Sequence, residues 1–241
     1  MLIATTDKEI QQEIIENMFS AMEKLEENGF RPCSHLVLTA YVIGRYGSAR
    51  KQDEIVYKLK ESYILLKEKY NNITNEDDYL LCALWSINNI EVEVVNDFIE
   101  NVYDHVADYN IRTKNGVQGL SNAMILNGSS GHMYRNMEFL LQLQKRDIKI
   151  ANQFLPLVGV LSNTNPRRTV DLVEGVIEDL CDKEAEYEFY LDKGFRTIIA
   201  VVIVSFCTIS DKRRYIDELL AHGVISFINS KNKGIFEEAL S

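Results

Sequence analysis

Along this chain apolar residues recur three and four positions apart, and one helix-ending pattern cuts the recurring stretches at intervals. An apolar residue is followed five positions later by another, with Gly, Asn or Asp just before the second. The cases are Leu25…Gly29-Phe30, Val106…Asn110-Ile111, Leu143…Asp147-Ile148, Tyr190…Gly194-Phe195 and Leu219…Gly223-Val224. A stretched version is Leu66…Asn72-Ile73. The physical basis is a Schellman-type stop. The residue after the helix takes φ > 0, which Gly adopts freely and Asn or Asp tolerate, and the next residue folds back on the last turn.

Between stops a longer, charged segment alternates with a shorter, apolar one. The first long segment opens with a capping box, Thr6-x-x-Glu9, and then places Ile10, Ile14, Met18, Met22 and Leu25 on one face. Further long helices are predicted at about 52–69, 91–108, 132–145, 166–181 and 210–221. Asn165-Pro166 supplies an N-cap and a proline at the first helical position. The stretch Asp182 to Asp192 reads as an inserted short helix. The short segments, about 34–46, 77–88, 116–127, 152–162 and 196–208, are apolar on most faces, which predicts buried helices. The run Ile198 to Cys207 is β-branched enough for a strand, but no partner strand is in view, so it too reads as helix. Stops roughly 40 residues apart match two-helix repeats. The expectation is an all-α, right-handed stack of antiparallel helical hairpins, an α/α solenoid of about five repeats, forming a single domain over residues 1–241. The loop Gly128-Ser129-Ser130-Gly131 is short enough for a tight hairpin connection rather than a domain boundary.

Charge narrows the partners. The formal net charge is -10 and the pI about 5.0, which disfavours nucleic acid and anionic membranes as main partners. Only three prolines occur, in keeping with long helices. The four cysteines, Cys33, Cys82, Cys181 and Cys207, form no CxxC motif, and the start of the chain, with Asp7 and Glu9, is no secretory leader. They read as buried reduced thiols in a cytoplasmic protein. The most apolar run, Ile198 to Cys207, falls well short of the roughly 20 residues that span a bilayer.

Three stretches together carry a family resemblance: the "NGF" stop Asn28-Gly29-Phe30; the segment with Thr74, Asp77, Asp78, Tyr79, Leu81, Ala83 and Leu84; and Leu191-Asp192-Lys193-Gly194-Phe195. On these the chain resembles an uncharacterised all-helical family of cytosolic proteins from Gram-positive bacteria, catalogued as a domain of unknown function. The resemblance implies a helical repeat fold and carries over no catalytic residue.

Chemistry is sparse. His35, His105, His132 and His222 are widely spread and read as structural or solvent-exposed, with His222 at a helix end. Gly116-x-x-Gly119 and Gly128-x-x-Gly131 lack the lysine of a phosphate loop. Glu76, Asp77 and Asp78 stand where acids cap a helix. Ser34-His35 adjacency is no evidence for a triad, and Cys33 is at most a weak reactive-thiol signal. One anomaly stands out. Basic residues occupy turns that lead into the long helices: Arg50 and Lys51, Arg135, Arg167 and Arg168, and Lys212, Arg213 and Arg214. A helix N-terminus prefers acids, so Arg167, Arg168, Arg213 and Arg214 are the candidate edge for an anion or an acidic partner.

No cofactor, metal site or catalytic residue is expected, and the reading leans away from an enzyme. The favoured function is an interaction protein that binds a protein or peptide partner along a repeat surface. The alternative is a small-molecule or anionic-ligand binder, or a hydrolase, with a site between the inner helices near Arg45, Asn88, Asn122 and Asn163. The oligomeric state is left open.

Overall fold

The structure is a computed structural model that describes residues 8–106, 114–126, 133–159, 165–187, 192–208 and 215–232. Among the described residues there are eleven α-helices and no strand. They are α1 (Lys8–Glu27), α2 (Ser34–Tyr46), α3 (Gln52–Lys69), α4 (Tyr79–Ile87), α5 (Val92–Val106), α6 (Lys114–Ile125), α7 (Met133–Lys145), α8 (Leu155–Gly159), α9 (Pro166–Tyr187), α10 (Lys193–Thr208) and α11 (Ile216–Asn232). The described residues divide into two compact units, drawn from Met1–Asp97 with Val224–Ser226 and from Phe98–Gly223 with Phe227–Ser241.

In the first unit α2 packs against α1 and α4, and α4 against α3. The end of α1 follows the expected stop. Gly29 has φ 85°, the Phe30 N–H donates to the Leu25 carbonyl at 3.1 Å, and the Gly29 N–H donates to the Glu26 carbonyl at 2.9 Å. The chain is thereby turned so that Phe30 meets Tyr79 edge-on at 5.1 Å between ring centroids, with Tyr63 beside both. Helix α2 is buried from His35 to Gly44 except for Val37. A Cβ on Gly44 would lie 2.7 Å from the Met18 backbone nitrogen, so only glycine lets α1 approach this closely. Helix α4 is buried throughout Tyr79–Ser86, as its all-round apolar sequence requires, with Trp85 fully enclosed.

In the second unit α6 packs on α8, α7 on α9, and α9 on α10. The stop after α7 also holds: Asp147 has φ 54°, and the Ile148 N–H donates to the Leu143 carbonyl at 3.0 Å. Asn165 caps α9 as expected, its side-chain oxygen accepting the Arg168 N–H at 3.3 Å ahead of Pro166. The apolar run of α10 is helical, in agreement with the expectation, and buries Ile198, Ala200, Val201, Val202 and Val204.

Several expectations are corrected. Gly194 ends no helix. It sits in the first turn of α10, where Asp192 Oδ1 accepts the N–H groups of Gly194 (3.0 Å) and Phe195 (3.2 Å). Asp192-Lys193-Gly194-Phe195 is therefore an N-cap sequence, not a stop. Gly223 lies inside α11, and a Cβ there would come within 2.3 Å of the Phe154 ring. That glycine serves close packing, and α11 runs beyond the predicted end at 221. Up to Tyr187 the expected separate short helix is instead a continuation of α9, because nothing between Cys181 and Tyr187 breaks a helix; residues 188–191 fall outside the described residues. After α3 the chain closes with Tyr70 at φ −125° instead of a left-handed residue at Asn72. The expectations for Thr6, Asn110-Ile111, Tyr190 and the Gly128–Gly131 loop fall outside the described residues.

Candidate functional site

A helix stop that the sequence expectation omits builds the cleft of interest. Trp85…Asn89-Ile90 obeys the same rule: Asn89 has φ 54°, and the Ile90 N–H donates to the Trp85 carbonyl at 2.9 Å. The left-handed turn ends α4 and aims the Asn89 side chain at α3, where its oxygen accepts a hydrogen bond from Lys58 Nζ at 3.1 Å. Around this contact lies a cleft of about 180 Å³ between α3 and the start of α5, lined by Lys58, Glu61, Ser62, Leu65, Asn89, Ile90 and Glu91 to Glu93 among others.

The electrostatics of the cleft are uneven. Lys58 is held by Glu54 at 2.9 Å as well as by Asn89, and the bond lowers the Glu54 pKa while raising that of Lys58. Glu61 accepts a hydrogen bond from the Tyr57 hydroxyl at 2.7 Å, which pushes the phenol's pKa up. Glu61, Glu91 and Glu93 are all exposed. Ser62 is 7% exposed, lines the cleft, and its side chain makes no hydrogen bond with another described residue. On the same outward face of α3 stand Tyr57, 59% exposed, and the exposed Ile64 and Leu65, with Val94 of α5 exposed at 58%.

A second polar arrangement in this unit invites a chemical reading. His35 Nδ1 lies 2.8 Å from Asp77 Oδ1, and His35 Nε2 lies 3.1 Å from the hydroxyl of Ser226, a residue of the same unit. The Asp77 carboxylate can only accept, so Nδ1 carries a proton toward it, and Nε2 shares a hydrogen bond with the serine hydroxyl. The order Ser–His–Asp is that of a nucleophilic triad. Here, however, His35 is 2% and Ser226 7% exposed, so the hydroxyl is shielded from an incoming acyl group. We read it as a polar tie within the core. Sequence adjacency of Ser34 and His35 pointed to nothing; the partners of His35 come from elsewhere in the chain.

The neighbouring acids behave as caps. Asn75 Oδ1 accepts the Asp77 N–H at 2.9 Å, and Asp78 Oδ2 accepts the Asn75 N–H at 3.1 Å. Glu76 pairs with Arg31 at 3.4 Å. Asp78 is buried, and that burial raises its pKa from 3.8 to about 7, against the Asn75 bond and with the Asp77 charge adding to the rise. Burial likewise pushes the Cys82 thiol up.

Of the expected anion edge, Arg167 and Arg168 lie exposed in the first turn of α9, where Arg167 Nε sits 3.7 Å from Glu138 and Asn165 already caps the helix. Arg213 and Arg214 fall outside the described residues. Other expectations change. His222 is buried within α11 rather than at a helix end. Cys181 and Cys207 are exposed, not buried, while Cys33 accepts the Leu36 N–H as the cap of α2. Asn122 is fully buried in α6, not at an open helix end, and Arg45 stacks on Tyr46 and bonds the Tyr41 hydroxyl. Among the described residues no group of three or more His, Cys, Asp or Glu side chains is placed to hold a metal, and no helix is long and apolar enough to cross a membrane.

No curated protein and no solved structure matches the chain. One family profile does, over residues 1–233, under the description protein of unknown function (DUF4003). That match covers nearly the whole sequence, and the chain belongs to this family of unknown function.

Proposed function

We propose that the protein is a non-enzymatic helical-repeat binding protein, its hairpins stacked as repeats, whose first unit docks a protein or peptide segment over the cleft between α3 and α5. The carrying observation is the cleft itself. Its volume, about 180 Å³, is below the roughly 300–1,000 Å³ of ordinary small-molecule sites. Leu65 lines it, and the two helices that form it also expose Tyr57 and Ile64 on α3 and Val94 on α5, apolar side chains that a folded monomer gains nothing by exposing. A small site between helices that expose apolar side chains suits a partner chain better than a buried metabolite. The four free cysteines suit a reducing compartment, and we place the protein in the cytoplasm.

The test is affinity capture from the native lysate, comparing the wild-type chain with a Tyr57→Ser/Ile64→Ser/Val94→Ser variant. All three side chains are exposed, so the variant folds normally by circular dichroism. The reading expects a protein recovered by the wild type and lost with the variant. Equal recovery by both chains, or no protein recovered by either, refutes it.

A further inference from the structure

Resting on that docking reading, we propose that the cleft between α3 and α5 receives a lysine or arginine side chain of the partner segment, whose flanking apolar residues lie on Tyr57, Ile64 and Val94. The observations that lead here are independent of one another. The cleft presents Glu61, Glu91 and Glu93 as exposed carboxylates, while its own lysine, Lys58, is already engaged by Glu54 and Asn89. A second cation is therefore met by acids and by no competing free ammonium among the lining side chains. Ser62 lines the cleft, is as a residue more than nine-tenths buried, and its side chain makes no hydrogen bond with a described residue. Such a hydroxyl offers an acceptor to an N–H donor that enters. The space is that of one long side chain, whose aliphatic stem passes Leu65 and Val92 while its charged head reaches the carboxylates.

The charge of the chain as a whole acts in the same direction. At a net -10, it draws a basic segment to its surface and repels an acidic one. Long-range attraction alone would bind a basic segment anywhere on the surface. The cleft adds position, because there Ser62, three exposed carboxylates and the apolar Leu65 line one space.

The experiment uses the full chain and two synthetic, fluorescently labelled amphipathic peptides. One carries a central lysine flanked by leucines; the other replaces that lysine with norleucine. Affinities are read by fluorescence anisotropy at low and high salt against three chains. These are the wild type, the cleft variant Glu61→Gln/Glu91→Gln/Glu93→Gln, and a control that removes three exposed acids of α9, Glu178→Gln/Asp179→Asn/Asp182→Asn. The proposal expects the lysine peptide to bind the wild type and the α9 control alike, and the cleft variant at least roughly tenfold more weakly, as lost charge pairs imply. The norleucine peptide should bind all three at that weaker level. Equal weakening by both sets of substitutions would show diffuse attraction and overturn the proposal, as would equal affinity for the two peptides. The Tyr57→Ser/Ile64→Ser/Val94→Ser chain separates the two readings. If the norleucine peptide binds as well as lysine and is lost with this chain, docking stands and the cationic occupant fails. If neither peptide responds to either surface, both fail.

Discussion

Asp78→Asn should make this protein's stability less dependent on pH, in a direction that the geometry fixes. Asp78 is 4% exposed, and its carboxyl closes a capping box by accepting the Asn75 N–H at 3.1 Å. Burial raises its pKa from 3.8 to about 7. The folded state therefore keeps a proton that the unfolded chain has already lost. Stability from this group is fully present below the unfolded value and declines as pH rises from about 4 to about 7. At about 1.4 kcal/mol per unit of pKa, the loss across that window reaches up to about 4 kcal/mol. An asparagine oxygen still accepts the Asn75 N–H but never ionises. Its extra amide hydrogens impose a cost that is the same at every pH. The observable is thus the change with pH of the difference between variant and wild type, not the difference at any one pH. Urea unfolding followed by far-ultraviolet circular dichroism at pH 4, 6, 7 and 8 measures it, with the points set on either side of the pI of about 5.0. The variant should gain steadily on the wild type from pH 4 to pH 7 and level off above. A difference that stays flat, or that moves the other way, refutes the assignment of a proton to buried Asp78.

Three further outcomes follow from the helix ends and the thiols. Gly29→Ala should lower stability by roughly 1 kcal/mol because of its positive φ, whereas Gly194→Ala, in a helical first turn, should not; equal losses in urea melts would contradict the distinction. Gly223→Ala should cost roughly 1–3 kcal/mol through collision with Phe154, and a companion Phe154→Leu should recover part of it in the same melts. Iodoacetamide should label Cys181 and Cys207 in the native protein and Cys82 only after unfolding, by mass spectrometry of timed digests; rapid native labelling of Cys82 would contradict its burial.

Helix boundaries were legible where local chemistry alone decides them. Asn165-Pro166 opens α9, and α2 and α3 fall at Ser34–Tyr46 and Gln52–Lys69 as the apolar period implies. The stop pattern was legible at Gly29 and Asp147, and equally present but passed over at Asn89. It misled at Gly194 and Gly223, because a glycine followed by an apolar residue also serves a first turn or a close helix contact. Only tertiary structure distinguishes these: Asp192 turns its carboxylate onto the Gly194 and Phe195 N–H groups, and Phe154 occupies the space beside Gly223. The cleft was illegible for the same reason. Glu61 and Glu91 lie thirty residues apart in sequence and line one space only because α4 turns back at Asn89. The burial of Asp78 and the joining of His35 to Ser226 likewise come from packing, which no local pattern records.

The central claim is that the α3–α5 face of the first unit is where this protein meets a partner. A photo-cross-linking amino acid placed at Ile64 tests it most directly, with the same residue at Phe19 of α1 as the control. Both positions are exposed, Ile64 at 45% and Phe19 at 64%. Irradiation of living cells, followed by peptide sequencing of the adducts, should join Ile64 to one discrete protein segment carrying a lysine or arginine among apolar residues, and Phe19 to none. Adducts equally abundant from both positions, or none from Ile64, would contradict the account.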